Sequence, residues 1–228
     1  MKPCLCVVDM QNYYFNKHSD FAKLSDYYCG NDSLKYICDR CKEKLIPNIK
    51  KLQKFFRKNG YPVIFLRLCG EKEDRSDLHR FFRKNNILGE RIGFKNVYPL
   101  VNDPMSFILE EIKPLENESV FCKTTFSAFN STNIKEYLEK EKITHIFFTG
   151  IATSQCVETT ARDASEYGYS VIHVEDAEGD YTEKTHLISL SSSKAVCGGW
   201  VNKTDYIINN FDFLIEDINN IERNFFKL

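Results

Sequence analysis

Short runs of apolar residues alternate along the chain with longer segments in which apolar positions recur at helical spacing. The apolar runs, which we interpret as strands, cover residues 4–8, 61–68, 119–122, 144–149 and 171–175. Strands that alternate with helical segments are typical of a parallel sheet with helices packed on its faces. The pattern therefore predicts a doubly wound α/β fold, and the length of 228 residues is suited to a single domain over residues 1–228.

The helical segments carry their own start and end signals. In the first, Leu45, Ile49, Leu52 and Phe56 fall on one face, and Gly60 is placed to end the helix. Further helices are predicted over residues 105–112, 134–142, 154–167 and 183–191, and from a C-terminal apolar stripe of Leu214, Ile218, Ile221 and Phe225.

Two stretches interrupt this alternation. Residues 12–40 form a long polar and aromatic insertion after the first strand, and residues 70–99 form a charged stretch rich in Arg and Lys. Long connections inside a compact domain are usually lids, binding loops or interfaces. We therefore expect long loops at 12–40 and 70–99 and place ligand access there.

Charge and cysteine usage narrow the class of protein. The 31 Lys and Arg residues nearly balance the 32 Asp and Glu residues, and no basic run is interleaved with aromatic residues, so we expect no nucleic-acid partner. The apolar run at 4–8 is too short for a signal peptide or a membrane span, so we expect no membrane association. Nine scattered cysteines fit reduced thiols better than a disulfide framework, and we predict a cytoplasmic protein.

Cys38 and Cys41 form a Cys-x-x-Cys pair, with Cys29 and Cys69 as further candidate ligands for a structural zinc ion. A second such pair is missing, and no histidine lies nearby at ligand spacing. Reduced thiols without a metal are therefore our interpretation.

Three residues with reactive side chains follow predicted strands: Asp9 the first, Lys123 the third and Cys156 the fourth. In open α/β sheets ligands bind beyond the carboxyl ends of the strands. A Cys in the first turn of a helix has a thiolate stabilised by backbone N–H groups, a nearby Lys lowers its pKa further, and a nearby Asp can take and return a proton. Taken singly, the three have ordinary interpretations as a turn Asp, a solvated Lys and a core Cys.

The segments around these residues carry a recognisable signature. They read Asp9-Met-Gln-Asn, Lys123 followed by Ser127-Ala-Phe, and Thr-Gly-Ile-Ala-Thr-Ser-Gln-Cys-Val-Glu over residues 149–158. Together they resemble the isochorismatase-like cysteine hydrolase superfamily, and the likeness runs from residue 4 to about residue 200, with ureidoacrylate-type and carbamoyl amidohydrolases as the most similar members. It implies a Rossmann-like three-layer α/β/α sandwich with a mainly parallel six-stranded sheet.

The resemblance implies a catalytic triad of Asp9, Lys123 and Cys156. Asp9 would deprotonate the thiol, the thiolate would attack a carbonyl, and water would hydrolyse the resulting thioester. The resemblance also implies a cis peptide between Ile151 and Ala152, and an oxyanion hole formed by the N–H groups of Ala152 and Cys156. It further suggests four substrate-binding positions, for which core packing is the alternative: Gln11, Phe15, Phe126 and Phe129.

Hydrolysis of a C–N bond in a small amide or ureide is the leading hypothesis for function. Members that hydrolyse isochorismate lack the cysteine, whereas this chain has Cys156. Nicotinamidases carry an Asp-x-His metal motif after the second strand, where residues 67–70 here read Arg-Leu-Cys-Gly. Two alternatives stay open: a nicotinamidase that lacks the usual metal motif, and a catalytically silent protein used for binding or assembly.

The expected partners follow from the same resemblance. They are a small-molecule amide or ureide and water, with no cofactor and no metal. Members of the family are commonly dimers or tetramers, which implies a homodimer or homotetramer for this chain. His186 matches a histidine that relatives often have in the helix after the fifth strand, and we interpret it as a packed side chain and not a catalyst.

Overall fold

The computed structural model describes residues 2–196 and 199–225. Its six strands are β1 (Pro3–Val8), β2 (Val63–Leu68), β3 (Ser119–Lys123), β4 (His145–Ile151), β5 (Ser170–Gly179) and β6 (Trp200–Asn202). They form one sheet in the order β3-β2-β1-β4-β5-β6, and every neighbouring pair is parallel. The chain moves outward in one direction from β1 to β3 and then restarts at β4 on the other side of β1. This is the predicted doubly wound sheet, with its switch point between β1 and β4.

Helices flank this sheet. They are α1 (Asn12–Phe15), α2 (Asp20–Cys29), α3 (Lys35–Arg40), α4 (Ile46–Lys58), α5 (Arg80–Arg91), α6 (Ile134–Lys140), α7 (Glu158–Glu166), α8 (Glu183–Val196), α9 (Thr204–Asn209) and α10 (Phe211–Phe225). Helix α4 packs with α9, and α9 with α10, while α7 packs with α8. Both groups contact β5, as expected for helices that cover a parallel sheet.

Helix α4 follows its sequence pattern closely. Leu45, Ile49, Leu52 and Phe56 are all fully buried, and Gly60 has a positive φ of 70° just beyond the last turn. That backbone conformation is favourable for glycine because it lacks a Cβ atom. The predicted apolar face and end of this helix are therefore confirmed.

The two insertions are more regular than the sequence suggested. Residues 12–40 contain α1, α2 and α3, and residues 70–99 contain α5, so the expectation of long loops there is wrong. Helix α2 begins where the Ser19 side chain accepts a hydrogen bond from the Ala22 N–H, and α5 where His79 Nδ1 accepts one from the Phe81 N–H. Their many polar and charged residues hide narrow apolar faces that become buried, such as that of Phe82.

The helix predicted over residues 105–112 is also wrong. The structure has two short 3₁₀ turns, Pro104–Ser106 and Glu110–Ile112. Between them the chain is drawn alongside the end of β1, because Ile108 forms an antiparallel bridge with Gln11 and the Leu109 N–H donates to the Met10 carbonyl. The apolar spacing in this segment therefore reflects burial without a helix.

The C-terminal helix α10 buries part of its predicted stripe. Leu214 and Ile218 are buried and Ile221 is partly exposed, whereas the side chain of Phe225 lies outside the described residues. No helix in the described part of the chain is long and apolar enough to cross a membrane.

The described cysteines, Cys38 and Cys41 among them, are unpaired thiols. Within residues 2–196 and 199–225, no three His, Cys, Asp or Glu side chains are grouped to hold a metal ion.

Candidate active site

Asp9, Lys123 and Cys156 meet at the carboxyl edge of the sheet. Lys123 Nζ donates to Asp9 Oδ2 at 2.8 Å and to Cys156 Sγ at 3.1 Å, and it also donates to the Thr125 carbonyl at 3.2 Å. Asp9 and Lys123 are 0% exposed and Cys156 is 3% exposed. One ammonium group thus contacts both the carboxylate and the sulfur, and all three side chains are almost inaccessible to solvent.

Asp9 leaves β1 in an uncommon backbone conformation. Its φ is +50°, a left-handed region that Asp and Asn tolerate better than most residues. Its N–H donates to the Leu66 carbonyl, which ties the turn to β2. Among the described residues, its side-chain oxygen Oδ1 has no hydrogen-bond partner. That oxygen is therefore available to accept a proton.

Cys156 lies in a π-helical turn, Thr153–Val157, which leads into α7. The cap of this turn comes from Asp180, beyond the end of β5: its Oδ2 accepts a hydrogen bond from the Ser154 N–H at 2.7 Å. This cap comes from 26 residues away and leaves no local signal in the sequence.

Gly150 is required where β4 enters the site. Its φ is +102°, and a Cβ atom there would lie 2.0 Å from the Val8 carbonyl oxygen. Any side chain at this position would push β4 away from β1 and so separate the turn that carries Cys156 from Asp9.

Burial sets the protonation of the site. It raises the pKa of the Cys156 thiol, the Asp9 carboxylate raises it further, and Lys123 opposes both. Burial likewise raises the pKa of Asp9 against the opposing effect of Lys123. For Lys123, burial lowers the pKa, but Asp9 and Cys156 outweigh it and the net shift is upward.

The sequence-based expectation of a depressed thiol pKa is therefore wrong, because desolvation of a thiolate outweighs the helix turn and the lysine. The unliganded site holds a protonated thiol beside a charged Lys123. A buried, protonated thiol reacts slowly with alkylating reagents, so slow alkylation of Cys156 would not distinguish an active enzyme from the catalytically silent alternative.

The peptide between Ile151 and Ala152 is cis, at the position that the resemblance indicated. The Ala152 carbonyl accepts from the N–H groups of Gln155 and Val157 at 3.0 and 3.3 Å. These bonds tie the residue after the cis peptide to the turn that carries Cys156. An oxyanion hole formed by Ala152 and Cys156 stays a prediction.

Two of the four predicted substrate-binding residues, Gln11 and Phe129, have contacts within the protein. The Gln11 side chain donates to the Leu68 and Ser106 carbonyls and accepts from the Leu68 N–H, so its amide is already used in holding β2. Phe129 packs on Tyr167, just beyond the end of α7, with ring centroids 5.1 Å apart. Ligand contacts by Gln11 and Phe129 stay a prediction.

Phe15 and Phe126 are half-buried against the core. The Phe126 ring packs on Phe82 of α5, with ring centroids 4.5 Å apart. Their role in binding a ligand stays a prediction.

A buried chain of side chains behind the site was missed by the sequence analysis. Arg40 Nη2 lies 2.9 Å from His186 Nε2, and His186 Nδ1 lies 2.8 Å from Thr153 Oγ1. A guanidinium only donates, so Nε2 is the acceptor and Nδ1 carries the proton that it donates to Thr153. Arg40 is itself held by the Glu175 and Glu178 carbonyls. The insertion at 12–40 thereby fixes the tautomer of His186, which orients the first residue of the Cys156 turn.

Removing Arg40 should introduce a new acid limb in the pH profile. Burial lowers the pKa of His186, and the positive charge of Arg40 lowers it further, to about 4. Arg40→Met removes this charge but leaves the burial, so the pKa of His186 rises while staying below its ordinary value of about 6.5. As pH falls through this range, His186 becomes charged and its contact with Thr153 is disturbed. We expect the acid-side loss of kcat/KM to begin at a higher pH in Arg40→Met than in the wild-type protein, with a drop of about two- to threefold at pH 5 relative to pH 7.5.

The measurement is kcat/KM against pH for the wild-type protein, for Arg40→Met and for Arg40→Met combined with His186→Gln. The double variant lacks the titrating ring and should lose the new limb. If the limb persists without His186, the assignment is wrong.

The fold and the site define a class: an α/β protein with a buried Cys–Lys–Asp group at the carboxyl edge of a doubly wound parallel sheet. The family model of the Isochorismatase domain matches residues 3–205. The chain therefore belongs to the isochorismatase family of hydrolases.

Three proteins illustrate the similarity. The uncharacterized isochorismatase family protein YrdC of Bacillus subtilis is 30% identical over 139 residues, which cover 61% of this chain and 63% of YrdC. The ureidoacrylate amidohydrolase RutB of Yersinia enterocolitica is 26% identical over 221 residues, 90% of this chain and 87% of RutB. The crystal structure of N-carbamoylsarcosine amidase from Thermoplasma acidophilum superposes with a TM-score of 0.63 at 24% identity, over 90% of this chain and 98% of the amidase. This last likeness concerns the fold.

Proposed function

We propose that this protein hydrolyses the C–N bond of a small amide or ureide through a thioester at Cys156. One observation carries the proposal: a buried ammonium group, Lys123 Nζ, contacts both Asp9 Oδ2 and Cys156 Sγ, at 2.8 and 3.1 Å. A nucleophile, a proton acceptor and a fixed charge in mutual contact are the parts that covalent catalysis by cysteine needs. The names of the amidohydrolase and amidase relatives support cleavage of this bond.

In the first half of the reaction, Asp9 takes the proton of the Cys156 thiol on its free oxygen Oδ1 as the thiolate attacks the substrate carbonyl carbon. The carbonyl oxygen gains the negative charge, which the N–H groups of Ala152 and Cys156 stabilise. The tetrahedral intermediate collapses, the C–N bond breaks, and Asp9 returns its proton to the departing nitrogen. The products of this half are an acyl thioester and ammonia or an amine.

In the second half, a water molecule attacks the thioester while Asp9 accepts one of its protons. The C–S bond breaks, sulfur regains a proton, and the carboxylic or carbamic acid leaves. Lys123 keeps its charge throughout and so favours the ionised forms of Asp9 and of the sulfur. The sum is one amide and one water converted to one acid and one amine.

The test is a panel of amides and ureides, with nicotinamide included, scored by release of ammonia. Hydroxylamine should divert the thioester to a hydroxamate, and mass spectrometry of a quenched reaction should find the acyl group on the peptide that contains Cys156. Nicotinamide as the preferred substrate would favour the second hypothesis. If no member of the panel is hydrolysed and no acyl group appears on Cys156, the protein is the silent relative and our proposal fails.

A further inference from the structure

A cavity of about 270 Å³ reaches the turn that carries Cys156. Its walls come from α2 and α5, the helices of the two insertions, together with Tyr14, Tyr98 and Tyr181. Gln155, the residue next to the nucleophile, also lines it. The cavity therefore leads from the surface to the catalytic turn.

The walls of this cavity are aromatic. Phe21 of α2 and Phe82 of α5 both pack against Tyr98, with ring centroids 6.0 and 5.2 Å apart. The Tyr98 hydroxyl accepts a hydrogen bond from the Asn85 side chain at 3.5 Å. Burial raises the pKa of Tyr14 and of Tyr98, so both hydroxyls stay neutral. Of the described residues that line the cavity, none is Lys, Arg, His, Asp or Glu.

Two buried cationic groups, Lys123 and Arg75, already have hydrogen-bond partners within the protein. Lys123 is shared between Asp9 and Cys156. The buried guanidinium of Arg75 donates to the carbonyls of Lys72, Glu73 and Tyr98. A carboxylate in the cavity would thus lose its hydration and gain no partner of opposite charge.

We propose that the substrate is an uncharged amide whose acyl part carries an aromatic or other apolar group, and that amides and ureides bearing a carboxylate are poor substrates. This inference rests on the amide hydrolysis proposed above and adds the class of substrate. Burial of an apolar substrate group against the aromatic walls of the cavity contributes favourably to the free energy of binding. Burial of an unpaired carboxylate carries a large desolvation cost, since only pairing or hydrogen bonding offsets the lost hydration.

The inference separates this chain from a relative that its sequence resembles. Ureidoacrylate, named as the substrate of the RutB relative, carries a carboxylate by its chemistry. An enzyme for such an anion needs a cation or a set of donors at the far end of its substrate site. The cavity described here offers aromatic rings and neutral hydroxyl and amide groups.

The first experiment compares matched pairs of probes. Benzamide is paired with 4-carbamoylbenzoate, and phenylurea with 4-ureidobenzoate. We expect kcat/KM for the neutral member of each pair to exceed that for the anion at least about tenfold. If the anions are hydrolysed as fast or faster, the inference is overturned while the proposed amide hydrolysis stands.

The second experiment separates binding from catalysis. In Cys156→Ala the cavity is intact and turnover is blocked, so affinity for benzamide and for 4-carbamoylbenzoate is measured by ligand-observed NMR. Benzamide should bind at least about tenfold more tightly. Equal or reversed affinities would overturn the inference even if the wild-type protein hydrolyses neither probe.

A matched pair of variants tests whether the probes occupy this cavity. Tyr28 on α2 lines its mouth and is 55% exposed, while the adjacent Tyr27 is 62% exposed and lies outside the lining. Tyr28→Arg adds a cation at the mouth and should raise the affinity for 4-carbamoylbenzoate relative to benzamide about two- to fivefold. Tyr27→Arg adds the same charge to the same helix and should leave the ratio unchanged. Equal ratios in the two variants would show that the probes bind elsewhere.

Discussion

Replacement of Cys156 by Ala should lower turnover of any accepted amide by about 10⁴-fold or more, because the acyl group then has no nucleophile to which it can transfer. The side chain is 3% exposed and contacts Lys123 at 3.1 Å, so the loss is chemical and not a change at the surface. The measurement is ammonia release under saturating substrate, together with the disappearance of the acyl-enzyme from quenched samples.

The control is a second cysteine of the same chain. Cys38 on α3 is half-buried and unpaired, and it has no contact with the triad, so Cys38→Ser should retain full turnover. Thermal unfolding of both variants shows whether the fold survives. A Cys156→Ala protein with wild-type activity would exclude the thioester mechanism.

The sequence predicted the edge of the sheet at which chemistry occurs because that information is local. Asp9 and Lys123 end strands of apolar residues, and Cys156 follows the next strand within a few residues, so counting along the chain is enough to place them. The signature around each of the three residues then linked them to one family. The sheet, α4 and the three catalytic candidates could be predicted from the sequence for this reason.

Contacts between segments that are distant in the sequence could not be predicted in this way. The Ser154 N–H is capped by Asp180, and His186 is fixed by Arg40 from an insertion 146 residues away. In neither pair does the local sequence around one residue indicate the residue that it contacts. Helix α5 was hidden because its narrow apolar face lies among several Arg, Lys and Asn residues. The short β6, with three residues, is below the length at which alternation becomes visible.

The Cys156 thiol shows a second limit of prediction from the sequence, which concerns electrostatics. Its position in a helical turn near a lysine indicated a low pKa, yet burial raises the pKa of Cys156. The degree of burial depends on how the two insertions pack over the site, and that is a property of the whole fold. The same burial removes the ion pair between Asp9 and Lys123 from solvent.

Single replacement of Asp9 or of Lys123 should therefore destabilise the protein strongly, whereas replacement of both together should destabilise it only weakly. Both side chains are essentially inaccessible to solvent and lie 2.8 Å apart. Asp9→Asn leaves a buried ammonium group without its counter-charge, and Lys123→Met leaves a buried carboxylate, so each should lower the free energy of unfolding by about 3–5 kcal/mol. The double variant contains no uncompensated charge and should lie within about 1 kcal/mol of the wild-type protein. Asn is a suitable replacement because it tolerates the positive φ of Asp9.

Urea unfolding of the four proteins at pH 7 gives the coupling energy directly, and repetition at lower pH tests its origin. Burial raises the pKa of Asp9 and Lys123 holds it down, so in Lys123→Met the folded-state pKa rises further above that of the unfolded chain. A group with a raised folded-state pKa favours the folded protein as it becomes protonated. The deficit of Lys123→Met relative to wild type should therefore shrink as pH falls through that raised pKa. For Asp9→Asn, which has no carboxylate at this position, no such recovery is expected. Additive losses in the double variant, or a deficit of Lys123→Met that does not change with pH, would show that Lys123 does not hold Asp9 ionised, and the role given to it in the reaction would have to be abandoned.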